Sequence, residues 1–466
     1  MRRTVAIVGG GIAGIAAAVR IVESGDAPIV IETRKKLGGR ATSFTDPRTG
    51  HTLDNCQHVL MGCCTNLIDL YERLGVLDRI EWHHSSWWAN PPHEPDEMRS
   101  SQNWALFPAP AHFTMSFLRM RGLSFAEKRA IGRACWRLIR MGTRGRIAWR
   151  GKTFDGFLGE TRQPARAIER FWEPVVVSAC NLPSAACDAS YAMQVFQEGF
   201  LANAWSPAIG ISTVPLVELY DAAERIIVEH GGELRLGESA KGITYDGERV
   251  TGVATESGFV AASAVVSAVP ADRLAKLCSV PLRRADRRLR DLEKIKPSPI
   301  LGVHLFFDAK VMDTPHLVLP GRGTQWLFDK GLDEEGRSHV HAVISGADAW
   351  MDLDEAEIVR RVLADVQWAL PRAKGLEPVA ARSVKEKRAT FAVEPGVDEW
   401  RPSNAPDARG GVRNLLVAGD WTATGWPATM EGAARSGYAA AAAWTGKGGV
   451  LPDVPPSWLA KALGLG

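Results

Sequence analysis

The first forty residues alternate between continuous apolar runs and a glycine-rich stretch. An apolar, β-branched run at residues 5–8 has the length of a buried parallel strand. It leads into the sequence GGGIAG at residues 9–14, and a helix rich in small residues is predicted to follow. A second apolar run at residues 28–31 ends on Glu32. The pattern predicts a strand, a tight turn, a helix and a second strand, the unit that binds dinucleotides.

Each glycine of this GxGxxG pattern has its own physical reason. Gly9 permits the tight turn, Gly11 lets the backbone approach a pyrophosphate, and Gly14 lets the helix pack against the strand. The helix N-terminus supplies N–H donors and a positive dipole to phosphates. Glu32 follows about 20 residues on, where a carboxylate accepts the ribose hydroxyls. The residues predicted to contact the dinucleotide here are Gly9, Gly11, Ile12, Ala13, Gly14 and Glu32.

The sequence KLGGR at residues 36–40 continues the pattern. It resembles the GGR segment of FAD-dependent amine oxidases and carotenoid desaturases. Gly38 and Gly39 would let the backbone pass close to a diphosphate, and Arg40 would offset the phosphate charge. The resemblance therefore implies FAD, rather than NAD, as the cofactor.

A second motif stands near the C-terminal end of the chain. A predicted buried strand delivers Gly419 and Asp420, whose carboxylate can meet hydroxyls of the flavin side chain. A helix is predicted to begin near Thr429 and Met430, and its positive end would stabilise anionic reduced flavin. In the flavoprotein class that the chain resembles, the backbone at the position of Lys241 meets the adenine.

Polar residues interrupt the apolar segment that follows the GGR motif. The sequence DNCQHVL at residues 54–60, followed by Gly62 and a helix ending in Leu-Gly, resembles the squalene-associated FAD-dependent desaturases of bacteria. That family, now understood as hydroxysqualene dehydroxylases, belongs to the flavin amine oxidase and phytoene desaturase superfamily. In it this segment runs past the flavin ring, which implies that Gln57 and His58 contact the cofactor. Cys56 stands where the family commonly has glycine, a departure that affects the backbone geometry expected there.

The resemblance, which covers nearly the whole chain, implies reduction of hydroxysqualene, a long-chain isoprenoid, to squalene by reduced FAD. Such a reaction needs an apolar tunnel, a proton donor for the departing hydroxyl, and negative charge or π density near a developing cation. His58 is the first candidate for the acid and Asp54 the second, with a hydrogen bond from His58 without proton transfer as the alternative. Trp421 and Trp426 are candidates to line the tunnel or face the cation.

Three other functions remain open at this stage. A carotenoid or polyprenyl desaturase would use the same cofactor with the opposite electron flow. An amine oxidase is disfavoured because no pair of cage-forming aromatic residues is evident. A lipid escort for prenylated proteins has the same architecture without catalysis, but the intact glycine and Gly-Asp motifs argue against it.

These patterns predict an α/β fold, in which a Rossmann-like FAD-binding domain of the GR2 type is interleaved with a substrate domain of mixed sheet plus helices. The predicted FAD-binding domain comprises residues 1–70, 205–284 and 405–446, and the substrate-binding domain comprises residues 71–204 and 285–404. Residues 70–204 are predicted to be a helical insertion, with an irregular loop at residues 81–110. The tail at residues 447–466 is predicted either to fray or to contact a membrane.

Composition and net charge indicate the class of protein and the compartment that we expect. The chain of 466 residues is 45% hydrophobic and 23% charged, as in soluble globular proteins. Its net charge of +3 gives no argument for nucleic acid, and its seven cysteines lack the CxxC spacing, as expected in a reducing cytosol. No signal peptide or spanning apolar run is evident. Histidines at residues 83, 84 and 93, together with Glu94, match no standard metal site, so we predict a loop and no metal.

Arginine and lysine dominate the stretch at residues 119–150, where acidic residues are almost absent. This pattern fits either a solvated helical face or an amphipathic surface that rests on anionic lipid. The 16 tryptophans suit a large apolar pocket or a membrane–water boundary. We therefore expect a cytoplasmic protein held at the inner face of the bacterial cytoplasmic membrane. The sequence does not indicate an oligomeric state.

Overall fold

The computed structural model describes residues 2–101, 103, 106–408 and 410–465. Its strands are β1 (Thr4–Val8), β2 (Ala27–Glu32), β3 (Ser43–Thr45), β4 (Thr52–Asp54), β5 (Val59–Met61), β6 (Ile80–His83), β7 (Ser85–Asn90), β8 (His93–Arg99), β9 (Ile209–Ser212), β10 (Glu233–Leu236), β11 (Ala240–Tyr245), β12 (Val250–Thr255), β13 (Phe259–Ala261), β14 (Ala264–Ser267), β15 (Pro297–Phe307), β16 (His316–Val318), β17 (Trp326–Leu332), β18 (Ser338–Ser345), β19 (Ala380–Phe391) and β20 (Leu415–Val417).

Its α-helices are α1 (Ile12–Ser24), α2 (Thr65–Leu74), α3 (Thr114–Arg119), α4 (Phe125–Ile147), α5 (Phe154–Glu160), α6 (Ala165–Ala167), α7 (Glu173–Cys180), α8 (Ala189–Gln194), α9 (Asp221–Glu229), α10 (Ala271–Leu277), α11 (Val280–Ala285), α12 (Glu355–Ala369), α13 (Met430–Thr445) and α14 (Trp458–Leu463). Wider, π-helical turns continue α6 over Ile168–Trp172 and α8 over Val195–Leu201.

A parallel sheet of five strands, in the order β10-β2-β1-β14-β20, brings together the beginning, the middle and the end of the chain. Its central strand β1 pairs with β2 on one side and with β14 on the other. Strands buried on both faces read as continuous apolar runs, which is why β1 and β14 were evident from sequence. Helices α1 and α13 pack so closely that a Cβ atom added at Gly437 would lie 2.3 Å from the carbonyl oxygen of Ala13.

A mixed sheet of seven strands, in the order β19-β15-β18-β17-β16-β7-β8, forms the second layer. All its pairs are antiparallel except that between β7 and β16. Side chains of odd-numbered β15 residues, such as Val303, pack in the core with Val362 and Val366 of α12. Even-numbered β15 residues face the other side, where the cavity described below is found. The predicted α/β architecture, a parallel sheet with helices interleaved with a mixed sheet, is confirmed.

The prediction of an irregular loop at residues 81–110 is wrong over its first part. Strands β7 and β8 form a hairpin that extends the mixed sheet, with Trp88 opposite Val318 of β16. The alternation was obscured because tryptophan and histidine stand at positions on both faces, and because β16 lies far along the chain. The insertion at residues 70–204 is therefore helical only after this hairpin.

The C-terminal tail is folded against the helical region. Helix α14 places the buried Ala460 in a small apolar cluster with Ile139 of α4 and Ala202. The alternative of a frayed tail is therefore wrong. Helix α4 itself is interrupted at Gly142, where φ is +57°. The Gln197 amide donates to the carbonyl of Gly142 at 3.2 Å and to that of Leu138 at 2.8 Å.

Helices α3, α4 and α14 share a surface that carries both apolar and basic side chains, here called the α3–α4–α14 surface. Lys128 of α4 donates to the carbonyl of Leu118 in α3 at 2.7 Å, which holds these two helices together. Its exposed large apolar side chains are Met115, Leu118, Phe125, Trp136, Ile147 and Trp458. Its exposed cations include Arg119, Arg129, Arg133, Arg140, Arg144 and Lys461. Within the described ranges, every helix is too short or too polar to cross a bilayer.

Candidate functional site

The glycine turn after β1 lies against the second glycine pair. The backbone N–H of Gly38 donates to the carbonyl of Gly10 at 2.9 Å. A Cβ atom added at Gly39 would lie 2.9 Å from the Cα atom of Gly11. At Gly14, which does not line the cavity, an added Cβ atom would lie 1.9 Å from the carbonyl oxygen of Gly9. Gly14 therefore serves the packing of α1 on the turn, whereas Gly9, Gly11, Gly38 and Gly39 line the cavity itself.

This turn opens into one large cavity of about 930 Å³. That volume is at the upper end of the range for small-molecule sites, about 300–1,000 Å³. Of the residues predicted to contact a dinucleotide, the cavity is lined by Gly9, Gly11, Ile12, Ala13, Glu32, Gly38, Gly39, Arg40, Gln57, His58, Lys241, Gly419, Asp420, Thr429 and Met430.

Glu32 at the end of β2 holds the glycine turn from the other side. Its carboxylate accepts the backbone N–H of Gly10 at 2.7 Å and that of Arg34 at 2.8 Å. A carboxylate has about four acceptor positions, so two more remain for ribose hydroxyls. Ala240 and Lys241 line the cavity nearby, but the Lys241 ammonium pairs with a surface glutamate. Only the backbone of Lys241 is thus directed toward a ligand.

Arg40 joins the second glycine pair to the C-terminal motif. Its guanidinium pairs with the buried Asp420 carboxylate at 2.5 Å and donates to the carbonyl of Ala389 in β19 at 2.7 Å. Gly419, with φ of +141°, donates its N–H to the hydroxyl of Ser436 at 2.7 Å. The arrangement places one cation and one carboxylate side by side in the cavity wall, next to the second glycine pair.

The N-terminal end of α13 faces the same cavity. The hydroxyl of Thr429 accepts the N–H of Gly432 at 3.0 Å and caps the helix. Thr429, Met430 and Glu431 line the cavity. Because unpaired N–H groups and the helix dipole make this end positive, it favours an anion.

The segment that contains Asp54 crosses the face of the mixed sheet. The Asp54 carboxylate accepts from the Ser43 hydroxyl at 2.7 Å and the Leu216 N–H at 3.0 Å, and pairs with Lys330 at 3.1 Å. Burial alone would raise the pKa of Asp54, but Lys330 and these hydrogen bonds hold it below its ordinary value. Asp54 does not line the cavity. In this structure the Asp54 carboxylate anchors the segment and lies outside the cavity wall, where the sequence analysis expected a proton donor.

A group of buried histidines on β15 and β18 of the mixed sheet contacts this segment. His304 contacts the carbonyl of Asp54 at 3.0 Å and His339 at 2.9 Å, and it stacks on His341 with ring centroids 3.9 Å apart. Burial lowers the pKa of His304 to about 4. These residues were missed from sequence because isolated histidines in alternating strands carry no recognisable pattern.

His58 lies in the cavity wall as a neutral imidazole. Its Nδ1 is 3.0 Å from the carbonyl oxygen of Cys56. A carbonyl oxygen can only accept, so Nδ1 carries the proton and Nε2 is an acceptor. Burial lowers the pKa of His58, which favours this neutral form. The amide oxygen of the neighbouring Gln57 accepts from Lys330 at 3.2 Å.

Cys56 occupies a small apolar cluster on the sheet face. Its side chain is buried with Phe328 of β17 and Val343 of β18. Burial raises the pKa of the Cys56 thiol to about 12, so the group is uncharged. The side chain that replaces the expected glycine is thus accommodated as part of the apolar floor of the cavity.

Beyond this floor the cavity extends between aromatic and aliphatic side chains. These residues come from distant helices and strands, so no local sequence motif connects them. They are Trp88, Met98, Phe113, Val175, Phe200, Ile300, Val318, Trp326 and Phe328. Trp421 and Trp426 also line the cavity, close to the C-terminal motif. The indole N–H of Trp421 donates to the carbonyl of Val269 at 3.1 Å, and Trp426 stacks under the Arg435 guanidinium.

One cluster of possible metal ligands exists among the described residues, away from the glycine turn. It consists of His51, Asp333 and Glu335. The guanidinium of Arg337 pairs with both carboxylates at 2.7 Å. Because this cation already neutralises the cluster, the geometry indicates an ion-pair network. His83, His84 and Glu94 belong to no such cluster within the described ranges.

Comparison with known proteins agrees with this geometry. The hydroxysqualene dehydroxylase of Sinorhizobium fredii is 27% identical over 451 residues, which cover 95% of this chain and 98% of that protein. The 15-cis-phytoene desaturase of Synechococcus elongatus is 23% identical over 451 residues, covering 93% and 94%. A putrescine oxidase bound to putrescine matches with a TM-score of 0.69 at 19% identity over 96% of this chain and 100% of that one, which shows a shared fold.

The family described as flavin containing amine oxidoreductase matches residues 12–444. The cradle of glycines, the acceptor Glu32 and the positive end of α13 fit the diphosphate, ribose and flavin of FAD. This chain therefore belongs to the flavin containing amine oxidoreductase family, and it is an oxidoreductase whose cofactor is FAD.

Proposed function

We propose that this chain reduces hydroxysqualene to squalene. The observation that carries the proposal is a single cavity that begins at the FAD cradle and continues between apolar walls, which include Trp88 and Phe328. Such walls suit a long hydrocarbon. The segment with Gln57 and His58 stands between the two parts, where the cofactor and a substrate would meet.

The relatives support the class of substrate. Both the hydroxysqualene dehydroxylase and the phytoene desaturase act on long isoprenoids, and both align over more than nine-tenths of this chain. The higher identity belongs to the dehydroxylase, which also matches this chain over nearly its full length. The order DNCQHVL at residues 54–60 adds a family-specific feature at the expected cofactor segment.

The residues of the chain have distinct tasks in this reaction. Reduced flavin, when bound, supplies a hydride. Arg40 and the positive end of α13 stabilise negative charge on the cofactor. Neutral His58 can accept a hydrogen bond at Nε2 and so orient a hydroxyl group. The aromatic walls exclude water and present π density to a carbon that becomes electron-deficient.

The test is a single-turnover reaction with the purified holoprotein. The bound flavin is reduced without oxygen, and hydroxysqualene is added in detergent micelles. We expect the visible absorbance of oxidised flavin to return, with one squalene formed for each flavin oxidised. A flavin that stays reduced would refute the proposal. If phytoene or another polyene then reduced the oxidised enzyme, the chain would be a desaturase, and a colourless protein would indicate a lipid escort.

We further propose that the α3–α4–α14 surface rests on anionic lipid at the inner face of the bacterial cytoplasmic membrane. This surface combines exposed apolar side chains with arginines that, among the described residues, face few acidic partners. Phe113, directly before α3, lines the cavity, so substrate from a membrane would enter next to this surface. Each cation near an anionic surface contributes about 1 kcal/mol of binding.

Flotation with vesicles that contain anionic lipid measures this contact. Replacing Arg129 and Arg133 with glutamine removes two cations, so we expect binding to weaken roughly 25-fold. Arg225→Gln on the exposed face of α9 is the matched control and should bind as the wild type does. Equal binding by the double variant, or binding that ignores lipid charge, would refute the proposed surface.

A further inference from the structure

Five carboxyl groups line the cavity within the described ranges: Glu32, Glu198, Glu386, Asp420 and Glu431. Glu32 accepts two backbone N–H groups, and Asp420 pairs with Arg40. Glu198 pairs with Arg146 at 2.8 Å and accepts from an amide side chain. These three carboxyl groups are therefore already committed to partners within the protein.

Glu431 is fully buried and accepts from the N–H of Leu67 at 2.8 Å and from the guanidinium of Arg435 at 2.6 Å. Glu386 is different. It is half-buried, and within the described part of the chain it has no hydrogen bond or ion pair. Two nearby cations on β19 are engaged elsewhere: Lys385 with the carbonyl of Met351 at 2.8 Å, and Arg388 with a carboxylate of α10. The adjacent Lys387 is exposed.

The position of Glu386 is set by the register of the mixed sheet. On β19 it stands opposite Ile300 of β15, and both side chains line the cavity. Ile300 also packs against the apolar cluster that contains Cys56, so Glu386 lies at the end of the cavity that the cofactor segment closes. Glu386 is thus an unpartnered carboxyl group on an apolar floor, next to the expected reaction centre.

The neighbouring imidazole does not take the role of acid. The proton of His58 is held on Nδ1 by the carbonyl of Cys56, and its Nε2 has only a lone pair to offer. A departing hydroxyl group needs a proton donor, and among the carboxyl groups that line the cavity in the described residues only Glu386 has no partner within the protein.

We propose that Glu386 is the catalytic acid of the reaction, an inference that rests on the proposed function. The Glu386 carboxyl donates its proton to the hydroxyl oxygen of hydroxysqualene. The C–O bond breaks and water leaves, while the same carbon receives the hydride that reduced flavin supplies. The carbon gains two electrons, the flavin loses two, and solvent returns a proton to Glu386.

Substitution of Glu386 tests the proposal in single turnovers. Glu386→Gln keeps the shape but cannot donate an acidic proton, and we expect the rate of squalene formation to fall about 10²- to 10⁴-fold. Glu386→Asp keeps the carboxyl group and should retain an intermediate rate. The control Glu394→Gln removes a carboxylate that pairs with Lys296 at the surface, and should react as the wild type does.

A second substrate separates proton donation from a structural role. The trifluoroacetate ester of hydroxysqualene loses its leaving group without a proton. We expect the Glu386→Gln variant to reduce this ester at nearly the wild-type rate, with unchanged FAD content. A variant that is equally slow with both substrates would overturn the proposal, and so would one that reduces hydroxysqualene normally. If the wild type fails with hydroxysqualene, the proposed function fails instead.

Discussion

The contact between α1 and α13 predicts that a single methyl group at Gly437 destabilises the protein. Both helices begin at the cofactor cradle, so their spacing sets where the N–H group of Ile12 and the positive N-terminal end of α13 point. A Cβ atom added at Gly437 would lie 2.3 Å from the carbonyl oxygen of Ala13 and 2.9 Å from the backbone nitrogen of Ala17. Both neighbours are backbone atoms, so no side chain can rotate away.

The size of the effect follows from two opposing contributions. Ordinary contacts begin at 3.4 Å, so the helices must separate by about 1 Å. Overpacking of this kind costs about 1–3 kcal/mol, and the upper end applies where the backbone must move. Alanine gains about 1 kcal/mol of helix propensity over glycine. The Gly437→Ala variant should therefore lose about 2 kcal/mol of unfolding free energy.

The measurement is a urea titration of the holoprotein, followed by circular dichroism, together with the FAD retained after gel filtration. The matched control is Gly132→Ala in α4, where no atom lies within 4 Å of an added Cβ. It should gain about 1 kcal/mol from propensity alone. We expect Gly437→Ala to lose both stability and FAD. If it were as stable as the wild type, the close approach of α1 and α13 would not exist in the protein.

Two further predictions concern buried charge. The side chain of Arg401 donates to the carbonyls of Asp420 at 3.1 Å and Trp426 at 2.9 Å. Arg401→Met should therefore lower the free energy of unfolding by about 3–5 kcal/mol and release FAD. Thermal unfolding and flavin content measure these effects, and full FAD retention would contradict the prediction. Burial lowers the pKa of His304 to about 4 and that of His339 to about 2, whereas an unfolded histidine titrates near about 6.5. Below about pH 6.5 the unfolded chain therefore binds more protons than the folded chain. The free energy of unfolding is highest above this pH and falls by about 1.4 kcal/mol per pH unit for each such histidine as the pH decreases. Unfolding curves at about pH 7.5 and about pH 5.5, which bracket the range in which histidine titrates, should show this loss of stability. The loss should be smaller in His339→Gln, and an equal loss in that variant would contradict the assignment.

Much of the parallel sheet could be predicted because each of its signals is local. The run at residues 5–8, the glycines at the turn and the acid at Glu32 all lie within one strand–helix–strand unit. Gly419 and Asp420 follow a buried strand in the same way. Such motifs need no knowledge of distant pairing, because the chain itself holds their parts together.

The mixed sheet and the polar end of the cavity could not be predicted in this way. The hairpin of β7 and β8 joins β16, and Glu386 reaches the cavity only because β19 pairs with β15 in one register. A shift of one residue would turn Glu386 to the opposite face. In the sequence, Glu386 stands between two lysines and reads as a solvated position. Its environment is a property of the tertiary structure alone.

The Asp54–His58 segment connects the FAD-binding part of the protein with the mixed sheet. One end continues from the FAD cradle through β3 and β4, and the carbonyl and carboxylate of Asp54 are held by His304 and Lys330 of the mixed sheet. Glu386 and the aromatic floor belong to that same sheet. In the function that we propose, this short segment, which is attached to both layers, sets the distance between the bound cofactor and the bound substrate. The satisfied polar network of histidines and a lysine holds this segment in one position, and the hydride transfer that we propose depends on such fixed geometry.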